Sequence, residues 1–94
     1  MATRLCRFTF SRKADRLLIE EAIAEAVFAA ECIHGITRVR LGVKYYLAGP
    51  RPNCLIDTSM EVGQHVAQLV AGLLTRWLGE DSFRVELLET EVVA

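Results

Sequence analysis

The chain lacks a cysteine pair at metal-ligand or redox spacing, an apolar run of membrane-spanning length, a marked excess of either charge and a glycine-rich phosphate loop. Cys6, Cys32 and Cys54 are odd in number and carry no CxxC spacing, which excludes a secreted disulfide framework or a zinc knuckle built from local ligand pairs. No stretch approaches the ~20 consecutive apolar residues a spanning helix needs. Arg4 and Arg7 interrupt what would have to be the apolar core of a leader. The formal net charge is only −1, so any affinity for nucleic acid or an anionic surface has to come from a local patch. Gly35, Gly42, Gly49, Gly63, Gly72 and Gly79 are dispersed and match neither a P-loop nor a dinucleotide fingerprint. These absences predict a cytoplasmic chain with no membrane span, no cofactor and no metal.

What is present is hydrophobic patterning. The 94 residues are 52% hydrophobic, enough for one α+β domain over residues 1–94 with a core that needs no staples. Cys6, Phe8 and Phe10 alternate with Arg7 and Thr9 from about Arg4 to Phe10, the period of a half-buried strand. A helix follows from about Ala14 to Ile33, stopped by Gly35. Its core side is expected to carry Leu18, Ile19, Ala22, Ile23, Ala26, Ala29 and Ile33, while Leu17, Ala24 and Phe28 lie on the far side.

From Ile36 to Leu47 the apolar positions Val39, Leu41, Val43, Tyr45 and Leu47 alternate with Arg38, Arg40, Gly42, Lys44 and Tyr46, which predicts a long strand with Gly42 as a bulge. The segment Ala48-Gly49-Pro50-Arg51-Pro52-Asn53 reads as a turn into a short strand, Asn53 to Asp57. Thr58-Ser59-Met60-Glu61 offers a capping box for a second helix, packed through Val62, Val66, Leu69, Val70, Leu73 and Trp77 and ended by Gly79. Phe83, Val85 and Leu87 give a last strand.

The order strand, helix, strand, strand, helix, strand predicts a ferredoxin-like βαββαβ two-layer sandwich, its antiparallel sheet ordered 4-1-3-2 with both helices on one face. Three functional readings follow. The first is a homo-oligomeric interaction or small-ligand-binding module, at least a homodimer, because a strand from Ile36 to Leu47 overhangs its five-residue partner. Leu17 and Phe28 on the first helix, and Tyr46 and Leu55 on the open sheet face, would supply apolar area.

The second reading is a small enzyme at the 54–65 strand-to-helix junction, using Asp57, Ser59 or His65, with Glu61 one turn before the imidazole. In the third, Arg7, Arg38, Arg40, Lys44 and Arg84 share the open face against Asp57 and Glu86 and hold a small anionic ligand or RNA. The single stacking candidate, Tyr46, and the lack of an Arg-Gly-Phe-Gly-Phe type motif weigh against nucleic acid.

Overall fold

The computed structural model describes residues 2–11, 14–48 and 53–91. Among these, four strands form one antiparallel sheet and three α-helices pack on it: β1 (Ala2–Phe10), α1 (Arg16–His34), α2 (Ile36–Gly42), β2 (Tyr45–Ala48), β3 (Asn53–Asp57), α3 (Glu61–Leu78) and β4 (Phe83–Glu91). A single 3-10 turn, Glu80–Ser82, leads into β4. The sheet order is β2-β3-β1-β4, every neighbouring pair antiparallel. The α+β class and the antiparallel sheet are those expected from the pattern.

The largest departure is at Ile36 to Leu47, where one long strand was expected. Residues Ile36–Gly42 are helix α2, and only Tyr45–Ala48 is strand. β3 spans five residues, so a longer strand would leave most of its N–H and C=O groups without a ladder partner. A helical turn satisfies those groups within the segment. It also drops Val39 into the core, where it is buried, while Leu41 turns to solvent. Gly42 is therefore no bulge. It is the last residue of α2, and a β-carbon there would touch Val62 and Met60. Gly35, at φ 89°, ends α1 through its N–H to Glu31 O and starts α2 at once, a backbone angle that glycine adopts without steric cost. The turn residues Gly49, Pro50, Arg51 and Pro52 lie outside the described residues.

Register assigns the two faces of the sheet. Phe8 stands opposite Cys54 on one side and Val85 on the other, and Cys6 opposite Ile56 and Leu87. Cys6, Phe8, Phe10, Cys54 and Ile56 are buried in one cluster with Ile19, Ala22, Ile23, Ala26 and Ala30 of α1, Val39 of α2 and Val62, Val66, Ala67, Val70 and Leu74 of α3. All three helices therefore contribute to a core on the same side of the sheet.

Both long helices are turned relative to expectation. In α3 the buried line runs through Val62, Gly63, Val66, Ala67, Val70 and Leu74, while Leu69, Leu73 and Trp77 are only partly buried. In α1 Ala30 is buried and Ile33 is exposed. Small residues take the closest approach, and the larger ones flank it. At Gly63 that approach leaves no room for a β-carbon, which would overlap the carbonyl of Asp57.

The expected capping box does not form. The N-cap of α3 is Met60, with no side-chain cap bond, and Thr58 is buried with its N–H donating to Arg4 O at 2.8 Å. Thr58 thus continues the sheet hydrogen bonding beyond β3 instead of starting the helix. At α1, by contrast, Asp15 caps through its carboxylate, which accepts from Leu17 N at 2.9 Å.

Candidate functional site

β4 is nine residues long and forms one edge of the sheet, where it pairs with β1 alone. Phe83, Val85 and Leu87 fall on the helix side, opposite Phe10, Phe8 and Cys6. Phe83 finds cover, packed at ring-centroid distances of 6.0 Å from Phe8 and 6.4 Å from Phe10. Val85 and Leu87 do not. Their strand partners are buried, yet Val85 is 45% exposed and Leu87 81% exposed. The core helices cover the inner faces of Cys6, Phe8, Cys54 and Ile56 and leave the inner side of β4 open at Val85 and Leu87. Between α3 and β4 runs a groove of about 400 Å³, with Cys6 and Phe8 in its lining, Ala67 and Ala71 along the helix wall and Val85 and Leu87 along the strand wall. Arg4, Thr58, Gln64 and Gln68 add polar groups to it. An open apolar groove beside an unpaired strand edge can accept a strand and its side chains together.

The opposite face of the sheet is less basic than expected. Arg38 and Arg40 belong to α2 and leave the sheet altogether. Lys44 precedes β2, its carbonyl accepting from Asp57 N at 2.9 Å. Across the sheet one row reads Tyr46, Leu55, Arg7, Glu86, and Arg7 Nη2 donates to Glu86 Oε2 at 2.8 Å. Arg84 alone of the five expected cations lies on this face without a carboxylate partner among the described residues. Leu5 and Leu88 stand opposite each other next to that row. The row is a mixed surface, with too little positive charge to hold a phosphate backbone.

Of the three candidate residues at the 54–65 junction, Asp57 and Ser59 interlock and His65 pairs elsewhere. Asp57 Oδ1 accepts from Ser59 N at 2.9 Å, and Ser59 Oγ accepts from Arg4 N at 3.1 Å. The Asp57 carboxylate closes a turn within the β3–α3 connection, and the Ser59 hydroxyl ties that connection to β1. His65 goes elsewhere: its Nδ1 is 2.7 Å from His34 Nε2, and its Nε2 is 3.8 Å from Glu61 Oε1. Sequence reasoning placed His65 beside Glu61 and missed His34 as its closest partner. The signal was available, since a helix returning antiparallel brings the last turn of the first helix to the opening turns of the second.

Cys6 and Cys54 are buried and Cys32 is exposed, all three as free thiols. Burial pushes the Cys54 thiol up to about 11, with Cys6 adding to the rise, and burial raises Cys6 as well. A thiol held in its neutral form is a poor nucleophile and a poor metal ligand, so these two act as apolar filler. Among the described residues no group of three or more His, Cys, Asp or Glu is placed to hold a metal ion, and no helix is long and apolar enough to cross a membrane.

Leu17 and Phe28 are exposed on α1, as their helical phase requires. They lie three turns apart among glutamates.

No protein-family model matches this chain, and no curated protein matches it significantly in sequence. The fold and the β4 groove make this a small α+β domain with an open, apolar face at its β4 edge.

Proposed function

We propose that this chain is an association module on a ferredoxin-like βαββαβ frame, which adds a partner strand to the β4 edge and seats that partner's apolar side chains against the α3 groove. The frame is supported by the sheet order, which reads 4-1-3-2 from the β4 edge, with α2 inserted ahead of β2. The association role rests on one observation: on the helix side of the sheet Val85 and Leu87 of β4 are exposed, although the residues paired opposite them, Phe8 and Cys6, are buried. A sheet that covers one strand less than it builds leaves that strand's apolar residues for another molecule. A small apolar ligand in the same groove is the neighbouring reading, and it uses the same walls. The homo-oligomer expected from a second strand overhanging its hairpin partner loses that basis, because α2 replaces the overhang. β4 takes over the role.

The groove can be tested with 1-anilinonaphthalene-8-sulfonate, an apolar anion, titrated into labelled protein and followed by amide chemical shifts. Shifts concentrated at Cys6, Ala67, Ala71 and Leu87, and lost in Ala67→Arg, support the groove. Shifts confined to the α1 surface around Leu17 and Phe28 would refute it.

A further inference from the structure

The order of side chains along β4 carries its own pairing rule. Around Val85 the strand reads Phe83, Arg84, Val85, Glu86, Leu87, and the two kinds of residue on either side of the centre are complementary when the strand is reversed. We infer that the occupant of the β4 edge is a second copy of β4, related by a twofold axis through Val85, so that the two four-stranded sheets join into one. This rests on the reading of β4 as an association edge and adds the partner and the register.

A twofold axis normal to the sheet makes two antiparallel edge strands neighbours and keeps the helices of both copies on the same side. Directly opposed residues then share a face, so only registers centred on a residue are allowed. Centring on Val85 sets Arg84 opposite Glu86 of the partner subunit and Glu86 opposite Arg84 of the partner subunit on the open face. On the helix face it sets Val85 against its own copy, and Phe83 and Leu87 against the partner's Leu87 and Phe83.

The neighbouring registers fail. Centring on Arg84 or on Glu86 places that charge against its own copy, and like charges directly opposed are destabilising. Centring on Leu87 sets Val85 against Glu89 of the partner subunit and Glu86 against Leu88 of the partner subunit. Only Val85 pairs opposite charges on one face and apolar residues on the other.

Three features of the single chain fit this assembly. Arg84 has no carboxylate partner among the described residues. Glu86 holds Arg7 through Oε2 at 2.8 Å, and a carboxylate has further lone pairs with which to accept a second guanidinium. The open-face row would then run Tyr46, Leu55, Arg7, Glu86 and on to Arg84 of the partner subunit, a charge ladder across the junction. Val85 and Leu87 would meet apolar side chains in place of water. Edge strands are commonly protected by charge, and charges of one sign would repel a second copy. Here the sign alternates, and the edge is complementary to itself.

Sedimentation velocity across a dilution series, with Arg84→Glu, Glu86→Lys and an equimolar mixture of the two, tests the register. Wild-type protein is expected to dimerise, and each variant alone to weaken dimerisation more than tenfold, because each opposes like charges. The mixture should regain the dimer, since the glutamate introduced in one variant then meets the lysine introduced in the other, and the retained Glu86 of the first meets the retained Arg84 of the second. Circular dichroism on each variant verifies that the exposed substitutions leave the fold intact. A wild-type monomer at 100 µM, or variants that dimerise as wild type does, overturns the proposal, and so does a mixture that stays monomeric. Mapping of 1-anilinonaphthalene-8-sulfonate on the Arg84→Glu monomer separates the two readings. Probe binding in the groove with a monomeric wild type sinks the twofold pairing alone, whereas no binding in the groove sinks the association surface beneath it.

Discussion

His34 Nε2 and His65 Nδ1 stand 2.7 Å apart, the rings meeting edge to edge with centroids 4.9 Å apart and planes inclined by 28°, and they fasten the last turn of α1 to the second turn of α3. The bond requires one ring to donate and the other to accept. Nε2–H tautomers on both rings satisfy this, with His34 donating to His65 and His65 turning its own N–H toward Glu61, 3.8 Å away. The pair is partly buried, so breaking it leaves at most a half-solvated donor or acceptor. A double-mutant cycle on His34→Phe and His65→Phe, read from urea unfolding at pH 7.5, is expected to give a coupling energy of about 1 kcal/mol. Additive effects would show that the two rings are neighbours without a bond.

Gly63 sets the distance between α3 and the end of β3. A β-carbon there would run into the Asp57 carbonyl, which is backbone and cannot swing aside. Gly63→Ala would ordinarily gain helix propensity. Here it should instead lose about 1 to 3 kcal/mol through overpacking. Gly72 in the same helix has open space around its α-carbon, so Gly72→Ala should stabilise by up to about 1 kcal/mol. Urea midpoints that move the same way for both would contradict the close approach.

The α+β class and the strand parity were legible because they depend on local pattern: Phe8, Phe10, Cys54 and Ile56 alternate in sequence and are buried in the sheet. Two things were not. The period-two run through Val39, Leu41 and Val43 satisfies a strand template, but whether it becomes a strand depends on the length of its partner, a non-local fact. The helix phases shifted because large apolar residues dominate a sequence pattern, whereas Gly63, Ala67 and Ala26 decide where backbones can meet. For the candidate site, the sequence named Asp57, Ser59 and His65 by chemical type, and their contacts, a turn for Asp57 and Ser59 and a helix-to-helix pair for His65, depend on tertiary placement. The exposure of Val85 and Leu87 could not be read from alternation, which says which face a residue takes and not whether anything covers it.

The thiols divide by burial. Cys32 is exposed, and Cys6 and Cys54 are enclosed, so one thiol per chain should react quickly with a disulfide reagent at pH 8 and two only on unfolding. Because Cys54 is pushed up to about 11 in the folded chain, the unfolded chain releases its proton first as pH rises, from about 8.5 for an ordinary thiol. Folded stability from this group is therefore complete below that range and declines toward pH 11, by at most about 1.4 kcal/mol per pH unit. Urea midpoints at pH 8 and pH 10 should diverge more in the wild type than in Cys54→Ala. Equal divergence would mean that the folded thiol ionises as freely as the unfolded one.

Leu74 and Leu73 are adjacent in α3 and make opposite claims on the core. Leu74 is fully buried and Leu73 is only packed against the cluster's margin, although amphipathic phase through the larger residues points to Leu73 as the inward one. Deleting a fully buried leucine removes transfer energy and leaves a cavity, at a cost of about 2 to 5 kcal/mol. A partly exposed leucine loses only a share of the transfer term, and solvent fills the gap. Leu74→Ala should therefore destabilise at least twice as strongly as Leu73→Ala in paired urea melts. The reverse ranking would restore the simpler helical phase, turn α3 by one residue about its axis, and move the Ala67 and Ala71 wall away from β4, taking the groove with it.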